Sequence, residues 1–148
     1  EEIAKKIAAD LQIVGLLAVE MFLTKDGQIL VNELAPRPHN SGHQTIEGNM
    51  TSQFGQHLRA IFNLPLGSTA ARSNAVMINL LGEPKYEGLA KYEGVEEILA
   101  IEGVFVHLYG KKYTKPFRKM GHVCIINDNR ELAISNARKV QSILKVKA

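Results

Sequence analysis

The chain has 148 residues, of which 45% are hydrophobic and 22% charged, and its formal net charge is +3. These values are typical of a soluble globular protein with one domain or two small lobes. No apolar run approaches the length of a membrane span, and the single cysteine, Cys124, excludes an internal disulfide framework. We therefore expect a reducing, cytoplasmic setting. The mild positive charge would suit an anionic small molecule or a weak nucleic-acid contact without selecting either.

The first residues predict a helix. Ile3, Ile7 and Leu11 recur at helical spacing, which favours a helix over residues 2–12. This pattern is already under way at the first residue. We therefore expect the chain to be a fragment of a longer protein, either proteolytic or deliberately trimmed.

Two strands over residues 14–23 and 28–34 are predicted to form a hairpin, because the Asp-Gly pair at 26–27 is a strong turn signal. If that pair is the centre of an even-length loop, Glu20 lies directly opposite Glu33 on one face of the ladder. Directly opposed like charges are destabilising. A divalent cation would remove this cost, and Mg²⁺ is usually held by one or two carboxylates together with substrate phosphates.

Two other interpretations of these glutamates stay open. A carboxylate pair that shares a proton could serve acid–base catalysis. An odd-length loop would instead place Glu20 and Glu33 on opposite faces, each exposed or in a salt bridge. The spacing alone does not decide between this arrangement and the facing pair.

Residues 35–50 lack a hydrophobic period and are predicted to form a long loop, of a kind that is often functional. Arg37 stands between two prolines, four residues after Glu33. A guanidinium held there could stabilise transferring phosphoryl charge or orient a planar anion. Further donors and acceptors come from His39, Asn40, Ser41 and His43. The His39-x-x-x-His43 spacing also matches two zinc ligands on a helix, but Asn, Ser and Gly after a proline make a helix unfavourable there.

The rest of the chain mixes predicted helices and strands, which favours an α+β fold. The sequence pattern changes after Gly82, which indicates a boundary between two lobes. Between the later strands, segment 110–119 (GKKYTKPFRK) is either a single-stranded nucleic-acid patch or a solvated hairpin connection. We expect His107 and His122 to be packing residues and Cys124 to be a buried thiol.

The expected elements after residue 50 are two longer helices, one short helix and three strands. The first helix is capped by Thr51 or Ser52 and has apolar Phe54, Leu58, Ile61 and Phe62 on one face. Strands are expected at 75–81, 104–109 and 121–127, with a short helix at 95–100. The last helix is capped by Asp128 or Asn129 and has Ala133, Ala137, Val140 and Leu144 on one face.

Several segments resemble one enzyme family. The strings LLAVEMFLTKDGQILVNELAPRPHNSGHQTIE, TSQFGQHLRAIFNLPLGS and AVMINLLGE are similar to the ATP-grasp enzymes of the N5-carboxyaminoimidazole ribonucleotide synthetase family, also described as the ATPase subunit of phosphoribosylaminoimidazole carboxylase. KPFRKMGHV resembles a KPGRKMGHV-like segment near the end of the same family. The NE-x-APRPHNSGH string is the most specific of these, and the resemblance runs over essentially the whole chain.

The resemblance implies that residues 1–82 form the second lobe of an ATP-grasp domain and residues 83–148 a small C-terminal α/β domain. It implies a ligase of de novo purine biosynthesis that uses ATP and Mg²⁺, with Mn²⁺ as an alternative. This ligase carboxylates the amine of 5-aminoimidazole ribonucleotide with bicarbonate, through carboxyphosphate. The products are N5-carboxyaminoimidazole ribonucleotide, ADP and phosphate. The implied partners are these substrates, the N-terminal half of the same enzyme and a second subunit of a homodimer, with no membrane and no nucleic acid.

The resemblance also implies roles for particular residues. Glu20 and Glu33 match the metal pair, and Asn32 with Glu33 matches the nucleotide contact. Arg37, His39 and Asn40 match residues around the bicarbonate and imidazole-ribonucleotide site. Lys111 and Arg118 match cationic contacts to the 5′-phosphate, although Lys112 and Lys119 share their spacing.

The chain departs from many ATP-grasp enzymes in one respect and from the pattern of the resembled family in two. Ala35 stands where many ATP-grasp enzymes have a third metal ligand, as is usual in this family. Phe117 replaces a small residue before the Arg-Lys pair. The nucleotide-fold domain and first ATP-grasp lobe do not precede Glu1, so we expect the chain alone to be inactive. Another ATP-grasp carboxylase or ligase half, or a basic nucleic-acid-binding module, are the alternatives.

Overall fold

The computed structural model describes residues 1–148, which group into two compact units. The first comprises Glu1–Ile46 and Met50–Ala70, and the second comprises Glu47–Asn49 and Ala71–Ala148. Both units combine helices with antiparallel strands, which confirms the expected α+β class. None of the helices has the length and apolar character needed to span a bilayer.

The predicted loop over residues 35–50 is partly helical. Thr45 explains this locally, because its hydroxyl donates to the Gly42 carbonyl at 2.6 Å and accepts from the Gln53 N–H at 2.9 Å. Along the chain to residue 70 the elements are α1 (Glu2–Asp10), β1 (Ala18–Leu23), β2 (Ile29–Ala35), a 3₁₀ turn (Asn40–Gly42), α2 (Thr45–Gly48) and α3 (Gln53–Ile61).

The β1–β2 hairpin has a wider loop than the Asp-Gly pair predicts. Leu23 pairs with Ile29, so the expected even-length loop is wrong. The side chain of Thr24 closes the wider loop, because its Oγ1 accepts from the Gln28 N–H at 2.9 Å and donates to the Asp26 carboxylate. This hydrogen bond from Thr24 lowers the pKa of Asp26 below its usual value.

A β-bulge then shifts the register between Glu20 and Met21. Met21 pairs with Val31 and Glu20 pairs with Glu33, which leaves Asn32 as the extra residue of β2. The facing glutamates are therefore confirmed, but for a different reason from the predicted one. The odd-length loop shifts the pairing of β1 with β2 by one residue from the predicted register, and the bulge restores the predicted register at Glu20.

Helix α3 begins as predicted, with the Ser52 Oγ accepting from the Gly55 N–H. Its apolar face is nevertheless largely open in this chain. Ala35 is the one hydrophobic residue of the first unit that is fully buried. The expected face consists of Phe54, Leu58, Ile61 and Phe62, which are between 40 and 68% exposed.

The second unit is built on a three-stranded antiparallel sheet in the order β3-β8-β6, with helix α5 packed against it. Its elements are β3 (Asn74–Leu81), β4 (Gly88–Leu89), β5 (Lys91–Glu93), α4 (Val95–Leu99), β6 (Val104–Leu108), β7 (Tyr113–Thr114), β8 (Lys119–Asn127), α5 (Arg130–Ile143) and β9 (Lys145–Lys147). The core comprises Leu80, Ile98, Met120, Val123, Ile125, Ala137, Val140, Leu144 and Val146.

Strand β3 accounts for a difference between the predicted boundary and the compact units. The sequence places the boundary after Gly82, whereas the second unit already contains Ala71 and all of β3. The reason is that β3 pairs along its length with β8, from Asn74 opposite Asn127 to Leu81 opposite Lys119. The partner of a strand is set by contacts between residues far apart in the sequence, which local patterns do not reveal.

Candidate functional site of the hairpin and its following loop

The two glutamates occupy directly opposed positions, so their side chains leave the same face of the ladder. Glu33 is exposed, and the Glu20 side chain is 39% exposed, so water screens part of the repulsion. The neighbours of Glu20 are polar. Asn32 Nδ2 donates to Glu20 Oε2 at 3.4 Å, and His39 Nδ1 lies 3.5 Å from Glu20 Oε1.

The two carboxylates fit a hard cation whose remaining ligands are water or phosphate oxygens. Glu20 and Glu33 provide carboxylate oxygens, which Mg²⁺ prefers. No group of three or more His, Cys, Asp or Glu side chains comes together in the chain to form a complete metal cage. A cation between the two glutamates would therefore complete its shell with water or with phosphate oxygens.

The loop after β2 carries Arg37, His39 and Asn40. The exposed Arg37 guanidinium donates to the Pro38 carbonyl at 3.1 Å, which holds it against its own loop. The His39 side chain is only 15% exposed, and its Nδ1 lies 2.9 Å from Ser41 Oγ. Asn40 begins the 3₁₀ turn. Through His39 the loop reaches Glu20, so Glu20, Asn32, Glu33 and His39 form one polar group.

Sequence reasoning missed Gln53, the first residue of α3. It is 6% exposed, and its side-chain amide binds the backbone of His39 on both sides. A glutamine beside an N-cap serine is ordinarily a surface residue, so its type carries no sign of burial. The only local signal is its place next to the cap, where a side chain can reach back to the preceding loop.

Lys111 and Arg118 lie in the second unit, on the basic segment 110–119. The Lys111 Nζ donates to the Lys119 carbonyl and lies 5.5 Å from the ring centroid of Tyr109. Arg118 donates to the Tyr113 carbonyl at 2.9 Å. Both cations are thus steadied by the backbone of the loop that carries them.

A partly buried polar cluster of the second unit contains Glu47, His107, His122 and Cys124. Glu47 Oε1 lies 2.9 Å from His107 Nε2, and the rings of His107 and His122 stack with centroids 4.4 Å apart. Burial, together with hydrogen bonding and charge from Glu47, raises the pKa of the Cys124 thiol to about 12. His122, on the central strand β8, is 3% exposed, whereas the side chain of His107, on the edge strand β6, is 32% exposed.

Two family models match the chain. One describes the ATP-grasp domain and matches residues 1–54, and the other describes the phosphoribosylaminoimidazole carboxylase C-terminal domain and matches residues 75–136. The N5-carboxyaminoimidazole ribonucleotide synthase of Aquifex aeolicus is 45% identical over 145 residues, which are 98% of this chain and 38% of that protein.

Solved structures give the same result. The crystal structure of N5-carboxyaminoimidazole ribonucleotide synthetase from Thermotoga maritima has a TM-score of 0.92 and 56% identity, over 99% of this chain and 41% of that one. The Aspergillus clavatus synthase, solved with ADP and 5-aminoimidazole ribonucleotide, has a TM-score of 0.78 and 34% identity, over 96% of this chain and 39% of that one. The chain thus spans about two fifths of the length of these relatives. It belongs to the N5-carboxyaminoimidazole ribonucleotide synthetase family of ATP-grasp proteins.

Proposed function

We propose that the chain is the C-terminal part of a ligase that carboxylates the amine of 5-aminoimidazole ribonucleotide with bicarbonate at the expense of ATP. The observation that carries the proposal is the facing pair of Glu20 and Glu33, joined through His39 to the loop that bears Arg37 and Asn40. In such a ligase a bicarbonate oxygen attacks the γ-phosphorus of ATP, and ADP leaves. The amine nitrogen then attacks the carboxyl carbon of the resulting carboxyphosphate, the C–O bond to phosphate breaks, and the amine proton is lost to solvent as phosphate leaves.

Glu20 and Glu33 hold the Mg²⁺ that accompanies ATP, and Asn32 with Glu33 contacts the nucleotide. The cation, when bound, neutralises charge on the transferring phosphoryl group. Two opposed carboxylates are tolerated here because they are open to solvent in its absence.

Arg37 orients the planar bicarbonate, because a guanidinium presents two parallel N–H donors to a carboxylate-like anion. His39 and Asn40 supply further hydrogen bonds around the bicarbonate and the imidazole ribonucleotide. Lys111 and Arg118 bind the 5′-phosphate of that ribonucleotide. We place the whole enzyme in the cytoplasm as a homodimer.

A chimera tests this function. The chain replaces the matched part of the Thermotoga maritima synthetase, and ADP release is measured with and without 5-aminoimidazole ribonucleotide and bicarbonate. We expect release that depends on both substrates, and a loss of about 100-fold in kcat for Glu33→Gln because charge stabilisation of the phosphoryl group is reduced. Glu97→Gln, at an exposed position of α4, is the matched control and should leave the rate unchanged.

The chain by itself should not cleave ATP, since its relatives are more than twice its length. A folded chimera without substrate-dependent ADP release, or full activity in Glu33→Gln, would contradict the proposal. ATP cleavage by the 148 residues alone, dependent on 5-aminoimidazole ribonucleotide, would contradict the expected inactivity of the isolated chain.

A further inference from the structure

We propose that Gln53 is a positioning residue, which anchors the backbone of His39 and fixes His43 as a neutral imidazole with its proton on Nε2. The catalytic meaning of this inference rests on the proposed function, whereas its geometry does not. All the residues involved lie in the first unit.

The Gln53 side chain forms hydrogen bonds with both the backbone N–H and the backbone carbonyl of His39. Its Oε1 accepts from the His39 N–H at 2.8 Å, and its Nε2 donates to the His39 carbonyl at 2.9 Å. A backbone N–H can only donate and a carbonyl can only accept, so these two bonds determine which end of the amide is oxygen and which is nitrogen. The orientation of the Gln53 amide is therefore settled by the backbone.

The second Nε2 hydrogen of Gln53 determines the state of His43. Gln53 Nε2 lies 2.8 Å from His43 Nδ1. Because an amide NH₂ group has no acceptor, His43 Nδ1 must accept this bond and cannot carry a proton. The ring is then neutral, and its one proton lies on Nε2. Stacking against Phe54, at 5.7 Å between centroids and 17° between planes, holds the plane of the His43 ring.

The loop is shaped to receive this amide. A Cβ atom at Gly42 would lie 2.5 Å from Gln53 Oε1, so a side chain at this position would displace the amide from its present place. The backbone N–H of Gln53 is also used, since it donates to Thr45 Oγ1 at 2.9 Å. Gln53 thus holds the 39–45 segment at three places.

This arrangement has a chemical consequence for the site. With its Nδ1 occupied, His43 can donate from Nε2 but cannot act as a general base through Nδ1. The two hydrogen bonds from Gln53 fix the backbone of His39 and so restrict where its ring can lie beside Glu20. Such supporting contacts orient the groups that touch substrate, and small displacements of those groups slow the reaction.

The same helix provides a matched control. Gln56 grips the backbone of Gly67 in the same way, with Oε1 accepting from the Gly67 N–H at 2.9 Å and Nε2 donating to its carbonyl at 2.6 Å. Gln56 contacts no residue of the candidate site in these bonds. Replacing either glutamine removes two hydrogen bonds to the backbone, but only replacement of Gln53 should affect His39 and His43.

The first measurement is ¹⁵N NMR of the histidine rings in the chain at neutral pH. We expect His43 to show a protonated Nε2 and an unprotonated Nδ1. Gln53→Leu should lose this single tautomer, and Gln53→Glu should favour the doubly protonated ring because a carboxylate accepts a proton from Nδ1. Gln56→Leu should leave His43 unchanged. An unaltered His43 in both Gln53 variants, or an equal change in Gln56→Leu, would overturn the proposal.

The second measurement uses the chimera described above. Gln53→Leu should lower kcat/KM for bicarbonate by about 10- to 100-fold, whereas Gln56→Leu should leave it within about twofold. Equal losses in the two variants would overturn the positioning role. If the chimera has no activity, the proposed ligase function fails, and the NMR result still decides whether Gln53 sets the state of His43.

Discussion

Phe117 adopts a backbone conformation that favours glycine. Its φ is 61°, and its side chain is 68% exposed, so little packing compensates for the strain. Its N–H donates to the Gly82 carbonyl at 2.9 Å, which holds the residue in this conformation. The small residue in the similar KPGRKMGHV-like segment thus has a physical explanation that the sequence alone did not provide.

Replacing Phe117 by glycine should stabilise the chain by about 1 kcal/mol, because the left-handed region costs a residue with a Cβ roughly that much. Chemical denaturation monitored by circular dichroism would measure the change. Gly110→Ala is the converse control: Gly110 has φ of 66° and open space around its Cβ position, so alanine should destabilise by a similar amount. A destabilised Phe117→Gly variant would show that the ring makes contacts that matter.

Cys124 should make the stability of the chain depend on alkaline pH. Its thiol has an ordinary pKa of 9.0, and burial raises this pKa to about 12 in the folded chain. Between these values the unfolded chain loses the thiol proton and the folded chain keeps it. The free energy of unfolding should therefore fall as pH rises from about 9 to about 12, by about 1.4 kcal/mol per pH unit.

Urea unfolding of the wild type and of Cys124→Ala, compared at several pH values above 9, isolates this contribution from other titrating groups. The two slopes should differ by the stated amount, with the steeper fall in the wild type. Parallel curves would mean that the folded thiol ionises as readily as the unfolded one.

At the scale of elements, helix α5 connects local sequence to the core. Asn129 Oδ1 accepts from the N–H groups of Glu131 and Leu132, at 2.9 and 3.2 Å. The face predicted for this helix is confirmed, since Ala133, Ala137, Val140 and Leu144 are all at most 6% exposed. Both the cap and the face follow from spacing within a single helix, which is why the sequence predicted them.

Asn129→Ala should lower the free energy of unfolding by about 1 kcal/mol, because two N–H groups at the start of α5 lose their acceptor. Thermal or chemical unfolding would measure the loss. Ser142→Ala, which alters an exposed hydroxyl near the other end of α5, should change stability by less than about 0.5 kcal/mol. Similar losses in the two variants would argue against a specific capping effect.

At the scale of the whole molecule, buried apolar side chains are distributed unequally. The first unit has a single fully buried hydrophobic residue, Ala35, and all the other buried hydrophobic residues lie in the second unit. Burial of apolar surface is the main favourable term in folding. The two units should therefore differ in local stability.

Amide hydrogen exchange should show this difference directly. We expect the amides of β1 and β2 to exchange at least about 100-fold faster than those of β8, because opening the hairpin exposes little apolar surface. Val140→Ala is the control, since removing a fully buried side chain should speed exchange in β8 and leave the hairpin unchanged. Equal protection of β2 and β8 would refute the inference.

The family, the cap candidates of α3 and α5 and the candidate residues from Glu20 to Asn40 could be predicted from the amino-acid sequence, because these depend on contiguous strings and on spacing within one element. The wide hairpin loop and the compensating bulge at Asn32, which together place Glu20 opposite Glu33, became visible only in the folded chain. The same holds for the pairing of β3 with β8 and for the burial of Gln53 against His39 and His43. The physical reason is that register, partner choice and burial depend on contacts between residues distant along the chain, whose local sequences are compatible with several arrangements.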